Sequence, residues 1–366
     1  MKQVGTCIAG AGIIGLSLAL ELHRRGRSVL IVDQGRAMQE ASWAAAGMLA
    51  AEDPENPPVL TPLSQLSRTL YPAFLARIES LSGISVALRT SKTLQQMHIS
   101  TATELSLLNA AQLAQLAPGL VPGHRPWICL QEHSLDPRDL CQALPKASAA
   151  VGNEMLEYTP WLSIESGNLP LDGSKVRLQT ASTTILADTF VLCTGAWAGQ
   201  SSLLPGTVSP VKGQMLCIAQ PSNLDLRHTI RTPEIYIVPR GDGRIILGAT
   251  VEPSGFEKST DEATLQSLLN QAAAVVPALA GATILDSWSG LRPGTADKLP
   301  VLGHIPNQPN VFVASGHYRN GILLAPATAH VMAQLICGET PSVELAPFSP
   351  ERHLQTIEST AIPARA

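Results

Sequence analysis

The chain has 366 residues, 45% of them hydrophobic and 15% charged, which is enough for one large two-lobed domain or two domains and excludes a disordered chain. Its 28 glycines and 28 prolines follow no period, which excludes a collagen-like repeat. With 29 acidic against 25 basic residues, a net charge of −4 and no dense Lys/Arg run, nucleic acid and anionic membrane are poor partners and a small molecule is the better one.

Residues 4–9 form a short apolar run, 13–25 show helical periodicity, and 28–33 form a second apolar run ending in a carboxylate, so the chain opens with a strand–helix–strand unit. The glycines in this stretch interrupt it too often for a signal peptide. They spell Gly10-Ala11-Gly12-Ile13-Ile14-Gly15, a G-x-G-x-x-G loop between a strand and the helix it opens. The first glycine permits the tight turn, the second lets backbone approach a pyrophosphate, and the third lets helix and strand pack closely. Asp33, 18 residues after Gly15, ends the second strand where a carboxylate accepts ribose hydroxyls. The loop fits NAD and FAD equally.

Next comes a run of small residues, Ser42-Trp43-Ala44-Ala45-Ala46-Gly47-Met48, which suits close backbone approach to a flat ligand and an ordinary Ala-rich helix equally well. A Pro-rich loop over 53–62 leads to a helix over 63–81, and a second, amphipathic helix is expected over 102–116. Asp136-Pro137 supplies an N-cap and a first-turn proline for a helix reaching Ala150. A buried strand over 189–193 runs into Thr194-Gly195-Ala196-Trp197, as a strand end contacting an adenine dinucleotide would. From 208 to 290 the pattern turns strand-rich, with strands over 211–219, 234–239 and 243–250, a hairpin turn at Gly241-Asp242-Gly243 and one helix over 261–276. A strand over 311–315 and a helix over 322–337 then restore the opening pattern. That helix contains Pro326, His330 and Gln334 and is too short to span a bilayer.

The six cysteines (7, 129, 141, 193, 217 and 337) form no C-x-x-C pair and sit mostly in apolar runs, which reads as reduced thiols of a cytoplasmic protein. The nine histidines have no metal-ligand spacing; His124, Cys129 and His133 read as scattered loop residues, and no metal is expected. Three residues stand out as carboxylate partners. Tyr236 alternates with Ile235 and Ile237, sharing a strand face with Glu234; Arg292 follows Trp288 and Gly290 on a strand face; Arg319 lies between a strand and the last helix. An Arg fork binds a carboxylate in two places and a Tyr hydroxyl adds a further bond, although any one such Arg is more often a structural ion pair.

Taken together these residues resemble the FAD-dependent amine oxidases of the D-amino-acid oxidase and sarcosine oxidase group, and within it the glycine oxidases of thiamine biosynthesis. The similarity runs nearly the whole chain and is carried by the Gly10–Gly15 loop, Ala44-Ala45-Ala46-Gly47-Met48-Leu49, Pro210-Val211-Lys212-Gly213-Gln214, Tyr236-Ile237-Val238-Pro239-Arg240, Gly290-Leu291-Arg292-Pro293-Gly294-Thr295 and the stretch from Gly316 to Pro326. The resemblance implies an α/β fold: a Rossmann-type FAD-binding lobe of the glutathione-reductase-like kind (1–86, 140–207 and 292–366) and an α+β substrate lobe with a mostly antiparallel sheet (87–139 and 208–291).

It implies that Arg292 grips the substrate carboxylate, Tyr236 hydrogen-bonds it and Arg319 lies beside the active site. The implied FAD contacts come from Gly10, Gly12, Ile13, Ile14, Gly15 and Asp33; from Ser42, Ala45, Ala46, Gly47 and Met48; from Thr194, Gly195 and Trp197; and from Gly316, His317, Arg319, Asn320, Gly321, Ile322 and Leu323. The cysteine context of covalent sarcosine-oxidase flavin is missing, so the FAD should be dissociable. Trp43 stands where a small or hydroxyl residue would be expected beside the flavin and should narrow the site, and Glu234 should place an acid at its mouth. The implied reaction oxidises glycine, sarcosine or small D-amino acids with O2 and releases peroxide, in a homo-oligomer, possibly a tetramer. The competing readings are a dehydrogenase passing electrons to a quinone or carrier, and a non-catalytic FAD-binding assembly module.

Overall fold

The opening apolar runs and their glycine turn fold as β1 (Lys2–Ala9), α1 (Ile13–Arg24) and β2 (Val29–Val32) in a computed structural model that describes residues 1–98, 106–165, 175–308 and 310–353. There follow α2 (Ala41–Ala44), β3 (Met48–Leu49), α3 (Thr61–Ser82), β4 (Leu88–Thr90), β5 (Thr93–Gln96), α4 (Ala110–Leu116), β6 (Trp127–Leu130), β7 (His133–Leu135), α5 (Pro137–Ala150) and β8 (Glu154–Leu156). The second half adds β9 (Trp161–Glu165), β10 (Val176–Thr180), β11 (Thr184–Leu192), β12 (Ser209–Ala219), β13 (Thr229–Arg231), β14 (Tyr236–Pro239) and β15 (Arg244–Gly248). It closes with α6 (Glu262–Val275), β16 (Ile284–Gly294), β17 (Val301–His304), β18 (Val311–Ser315) and α7 (Gly321–Ile336).

One sheet runs β17-β18-β11-β1-β2-β8, with β10 and β9 added antiparallel beside β11. From β18 to β8 all neighbours are parallel. Leu16, Leu63, Leu144 and Leu324 of α1, α3, α5 and α7 share one core on this sheet, while Phe190, Leu192 and Val301 belong to another. Coverage on both faces is why β2 is apolar at every position and does not alternate.

The second sheet runs β16-β12-β15-β14-β13-β5-β6 and is mostly antiparallel, β13–β5 being its parallel pair. Its residues alternate strictly. Leu216, Ile218, Ile237 and Leu247 pack in a core with Leu113 of α4 and Leu268 of α6, whereas Met215, Cys217, Val238, Ile246 and Trp288 meet Ala44 and Ala46 from the other lobe. This second face roofs the glycine-rich segments of the parallel sheet. A small sheet, β3-β7-β4, joins the two.

Two helix starts shift by two residues or more, and the strand expected over 189–193 begins earlier, at Thr184 of β11. The helix expected over 102–116 is α4, which starts only at Ala110; residues 99–105 lie outside the described residues, and Leu107 forms a β-bridge with Ile128. Asn109 is the reason, because its side chain accepts from Gln112 N–H while the Gln112 side chain accepts from Asn109 N–H, and this reciprocal cap sets the start. Helix α3 starts at Thr61, since Pro62 falls in the first turn where its missing N–H has no intrahelical partner to lose. Among the described residues, no helix is long and apolar enough to cross a membrane.

Candidate active site

The glycine loop has no room for side chains. A Cβ on Gly10, whose φ is 110°, would sit 2.3 Å from the Cys193 carbonyl oxygen, and one on Gly15 would sit 1.9 Å from that of Gly10. Gly12 N-caps α1 with no side chain, and Ile13 N–H donates to Ser42 Oγ at 3.0 Å. The positive end of α1 is thereby aimed into a long cavity between the two sheets, lined here by Gly12, Ile13 and Ile14. Ser42, Ala45, Ala46, Gly47 and Met48 continue the wall, with α2 ending at Ala44 so that the next residues present backbone. The even choice between helix and close-approach loop thus resolves into one turn of helix followed by loop.

Arg240, almost fully buried, fixes that loop by donating from Nη1 to the carbonyls of Ala46 (2.9 Å) and Leu135 (2.7 Å). Asp33 stands at the end of β2 and accepts from Ala11 N–H at 2.6 Å and Gly35 N–H at 2.8 Å. It therefore braces the glycine loop and does not line the cavity. Gly195 lines it, while Thr194 and Trp197 do not; Trp197 packs against Phe256 with ring centroids 5.3 Å apart.

The far wall is the start of α7, where His317, Arg319, Asn320, Gly321 and Ile322 line the cavity and Gly316 and Leu323 lie behind it. Pro326 has no N–H to give the Ile322 carbonyl, and Tyr71 of α3 supplies the missing donor at 2.6 Å. Ser67 takes up the next rung, donating to Leu323 O at 2.5 Å and accepting from Ala327 N–H at 3.3 Å. His317 is buried with Nε2 against Thr328 Oγ1 at 3.0 Å, and burial drives its pKa down to about 3, so it is neutral.

On the roof, Arg292 of β16 and Tyr236 of β14 converge. Arg292 Nη1 donates to the carbonyls of Thr250 (3.0 Å) and Lys212 (3.3 Å), and the guanidinium charge lies close enough to the Tyr236 phenol to act on it. Burial pushes the phenol pKa up and the neighbouring guanidinium pulls it partly back, leaving Tyr236 a protonated donor at neutral pH.

Sequence reasoning missed a buried ionic group at the same cavity. Arg319 donates to Asp53 at 3.2 Å and to Asn56 at 3.3 Å; Asp53 also accepts from Gln95 at 3.0 Å; and Arg231 reaches Gln95 (2.6 Å) and Glu132 (3.2 Å). Burial pushes both carboxyls up. The charges of Arg231 and Arg319 outweigh this at Asp53 and hold it low, whereas Glu132, beside the Asp53 charge, stays raised. The available signal was Arg231 itself, a cation among β-forming residues.

Trp43 corrects an expectation. It does not narrow the cavity but points away from it, edge-on to Trp288 at 5.7 Å and under the Arg138 guanidinium at 3.9 Å. Its neighbours Ser42 and Ala44 face the cavity, and a one-residue step on a helix turns a side chain through about 100°. Glu234 does lie at the mouth, paired with Arg125 at 2.6 Å.

This cavity fits an adenine dinucleotide flavin: the N-termini of α1 and α7 both line it, the glycine loop leaves a cradle no Cβ would enter, and Ala45 to Met48 give a backbone-lined wall. Comparison with known proteins agrees. Residues 6–335 match the family model for DAO, FAD dependent oxidoreductase. Glycine oxidase of Bacillus licheniformis is 30% identical over 96% of this chain and 98% of its own, and the bifunctional protein ThiO/ThiG of Synechocystis is 35% identical over 98% of this chain and 55% of its own. The crystal structure of glycine oxidase from Geobacillus kaustophilus superposes with a TM-score of 0.89 at 32% identity, covering 96% of this chain and all of that one. The chain belongs to the DAO family of FAD-dependent oxidoreductases.

Proposed function

We propose that this enzyme oxidises glycine and other small amino acids, sarcosine and small D-amino acids among them, to the 2-oxo acid, ammonia or amine, and hydrogen peroxide. The carrying observation is that Arg292 and Tyr236 meet in the cavity already walled by the N-termini of α1 and α7. When bound, FAD accepts the hydride from the substrate Cα and hands two electrons to O2.

The residues supply orientation. Arg292, its Nη1 anchored on two carbonyls, offers its remaining donors to the substrate carboxylate, and the protonated Tyr236 phenol adds a neutral one. Two fixed donors on rigid strands hold the Cα–H in one direction, which removes orientational freedom before reaction. A substrate arriving with a neutral amine requires no side-chain base. The first turn of α7 brings backbone N–H groups and a positive dipole end to the cavity, where they would stabilise negative charge on a bound flavin. In this reading residues 1–86, 140–207 and 292–366 hold FAD non-covalently and 87–139 and 208–291 carry the roof. The Cys193 thiol beside the cavity is held protonated by burial and is a poor nucleophile. We further assign it a role in supplying imine or glyoxylate for thiamine thiazole synthesis, which similarity to the bifunctional ThiO/ThiG protein supports, and read it as a cytoplasmic homo-oligomer.

The test is a substrate panel with peroxide release and oxygen uptake measured together. Turnover of glycine or sarcosine with stoichiometric peroxide is expected; dye reduction without oxygen uptake would make the protein a dehydrogenase, and no bleaching by any small amino acid would leave only a binding module.

A further inference from the structure

Two glycines on neighbouring strands stand under the tips of Arg292 and Tyr236. Neither Gly213 nor Gly248 has a left-handed backbone, so their conformation alone does not call for glycine. The space above them is another matter. A Cβ on Gly213 would sit 2.4 Å from both Nη atoms of Arg292, and one on Gly248 would sit 2.5 Å from the Tyr236 hydroxyl oxygen and 2.6 Å from its Cζ.

The register explains the arrangement. Arg292 pairs with Val211 and Gly290 with Gly213 across β16 and β12, so the Arg292 side chain reaches back along the sheet over Gly213. Tyr236 pairs with Gly248 across β14 and β15 and lies over it. Met215, two residues from Gly213 and on the same face, pairs with Gly248. The two side chains thus lie flat from opposite sides and meet above the seam of β12 and β15.

We propose that Gly213 and Gly248 are positioning residues that set the height and aim of the carboxylate clamp, each leaving a slot that one clamp side chain fills. The proposal rests on the assignment of Arg292 and Tyr236 to the substrate carboxylate. The atoms met are the ends of side chains, so a methyl in either slot swings the clamp open and leaves the strand in place. A third roof glycine behaves differently: a Cβ on Gly290 would meet Ala44 Cβ at 2.4 Å and press on the loop that walls the cofactor.

The experiment uses holoenzyme and acetate, a carboxylate without an amine, titrated by its effect on flavin absorbance, alongside glycine kinetics. Gly213→Ala and Gly248→Ala should retain FAD, weaken acetate and raise KM for glycine by roughly tenfold or more, the worth of a charge-assisted hydrogen bond. Gly290→Ala should instead lose FAD, with acetate affinity kept in the loaded fraction. On an Arg292→Ala background, Gly213→Ala should cost acetate nothing further, because the slot is already empty. Unchanged acetate affinity in Gly213→Ala, where Arg292→Ala does weaken it, overturns the positioning role alone. If Arg292→Ala leaves acetate unaffected, the clamp assignment falls and takes the positioning role with it. Should Gly248→Ala fail to load FAD, Gly248→Ala/Tyr236→Ala should restore loading, and failure to restore it overturns the slot.

Discussion

Arg292 reaches the cavity with one nitrogen already tied to the Thr250 and Lys212 carbonyls. That anchoring removes rotamer freedom in advance, so the contact to an incoming carboxylate is made at little entropic cost. Arg292→Ala should therefore weaken glycine and small carboxylate inhibitors by roughly 1.5–3 kcal/mol while FAD stays bound, and Tyr236→Phe by about 1 kcal/mol, the difference between a charged and a neutral donor. Inhibition constants for the two variants measure this directly; equal losses, or a larger loss in Tyr236→Phe, would reverse the ranking. The fate of Trp43 belongs to the same scale. Its edge-on contact with Trp288 and its place under Arg138 hold it outside the cavity, so it gives no reason for preferring small substrates, and a preference for glycine must come from the cavity walls.

At the level of elements, α5 shows how one residue serves two lobes. Asp136 caps the helix by accepting from Arg138 N–H at 3.0 Å and also faces Arg244 at 3.0 Å and buried Arg240 at 3.9 Å, the residue that holds the Ala46 loop. Asp136→Ala should lose about 1 kcal/mol for the cap and a further few kcal/mol, on the order of 3–5, for the uncompensated buried guanidinium. Asp136→Asn keeps the cap and loses only the charge. Thermal midpoints and FAD dissociation constants separate the two: both variants should fall below the parent, with Asn above Ala. The cap at Asp136, the strand–helix–strand unit and the last helix were all legible in the sequence, because each rests on local chemistry: a side chain beside an N–H, a period of apolar residues, a glycine where no Cβ fits. The Asp53–Arg231–Glu132 group and the slots at Gly213 and Gly248 were not, because they depend on register between strands distant in the chain, which local patterning does not encode. Trp43 was misread for a related reason, since the run of small residues does not say which face a one-turn helix presents.

Across the whole molecule, Glu21 ties three helices: it pairs with Arg24 of α1 and Arg25 at its C-terminal end, Arg77 on α3 and His330 on α7. Burial alone would raise its pKa, but the hydrogen bonds and charges of Arg24 and Arg25 prevail and bring it from 4.5 to about 2. A carboxyl held low when folded stabilises fully above its unfolded pKa and loses that contribution as pH falls towards the folded one. The parent should thus lose stability between about pH 4.5 and 2 more steeply than Glu21→Gln, and melting curves across that window should show the gap between them closing. Of these helices α1 and α7 line the cofactor site and α3 braces α7, and denaturation at neutral pH should release free FAD into the supernatant; flavin remaining on the chain would contradict non-covalent binding.

The order of strands in the parallel sheet has a consequence in time. β1 and β2 lie within residues 2–32, β11 over 184–192, and β18, inserted beside β11, over 311–315, with α7 closing the cavity after it. A polypeptide leaving the ribosome presents its dinucleotide loop early, yet the wall at residues 314–322 emerges only after the whole second sheet through β16. Cofactor capture must wait for β18 and the start of α7, so a stalled chain ending before β18 should bind no flavin.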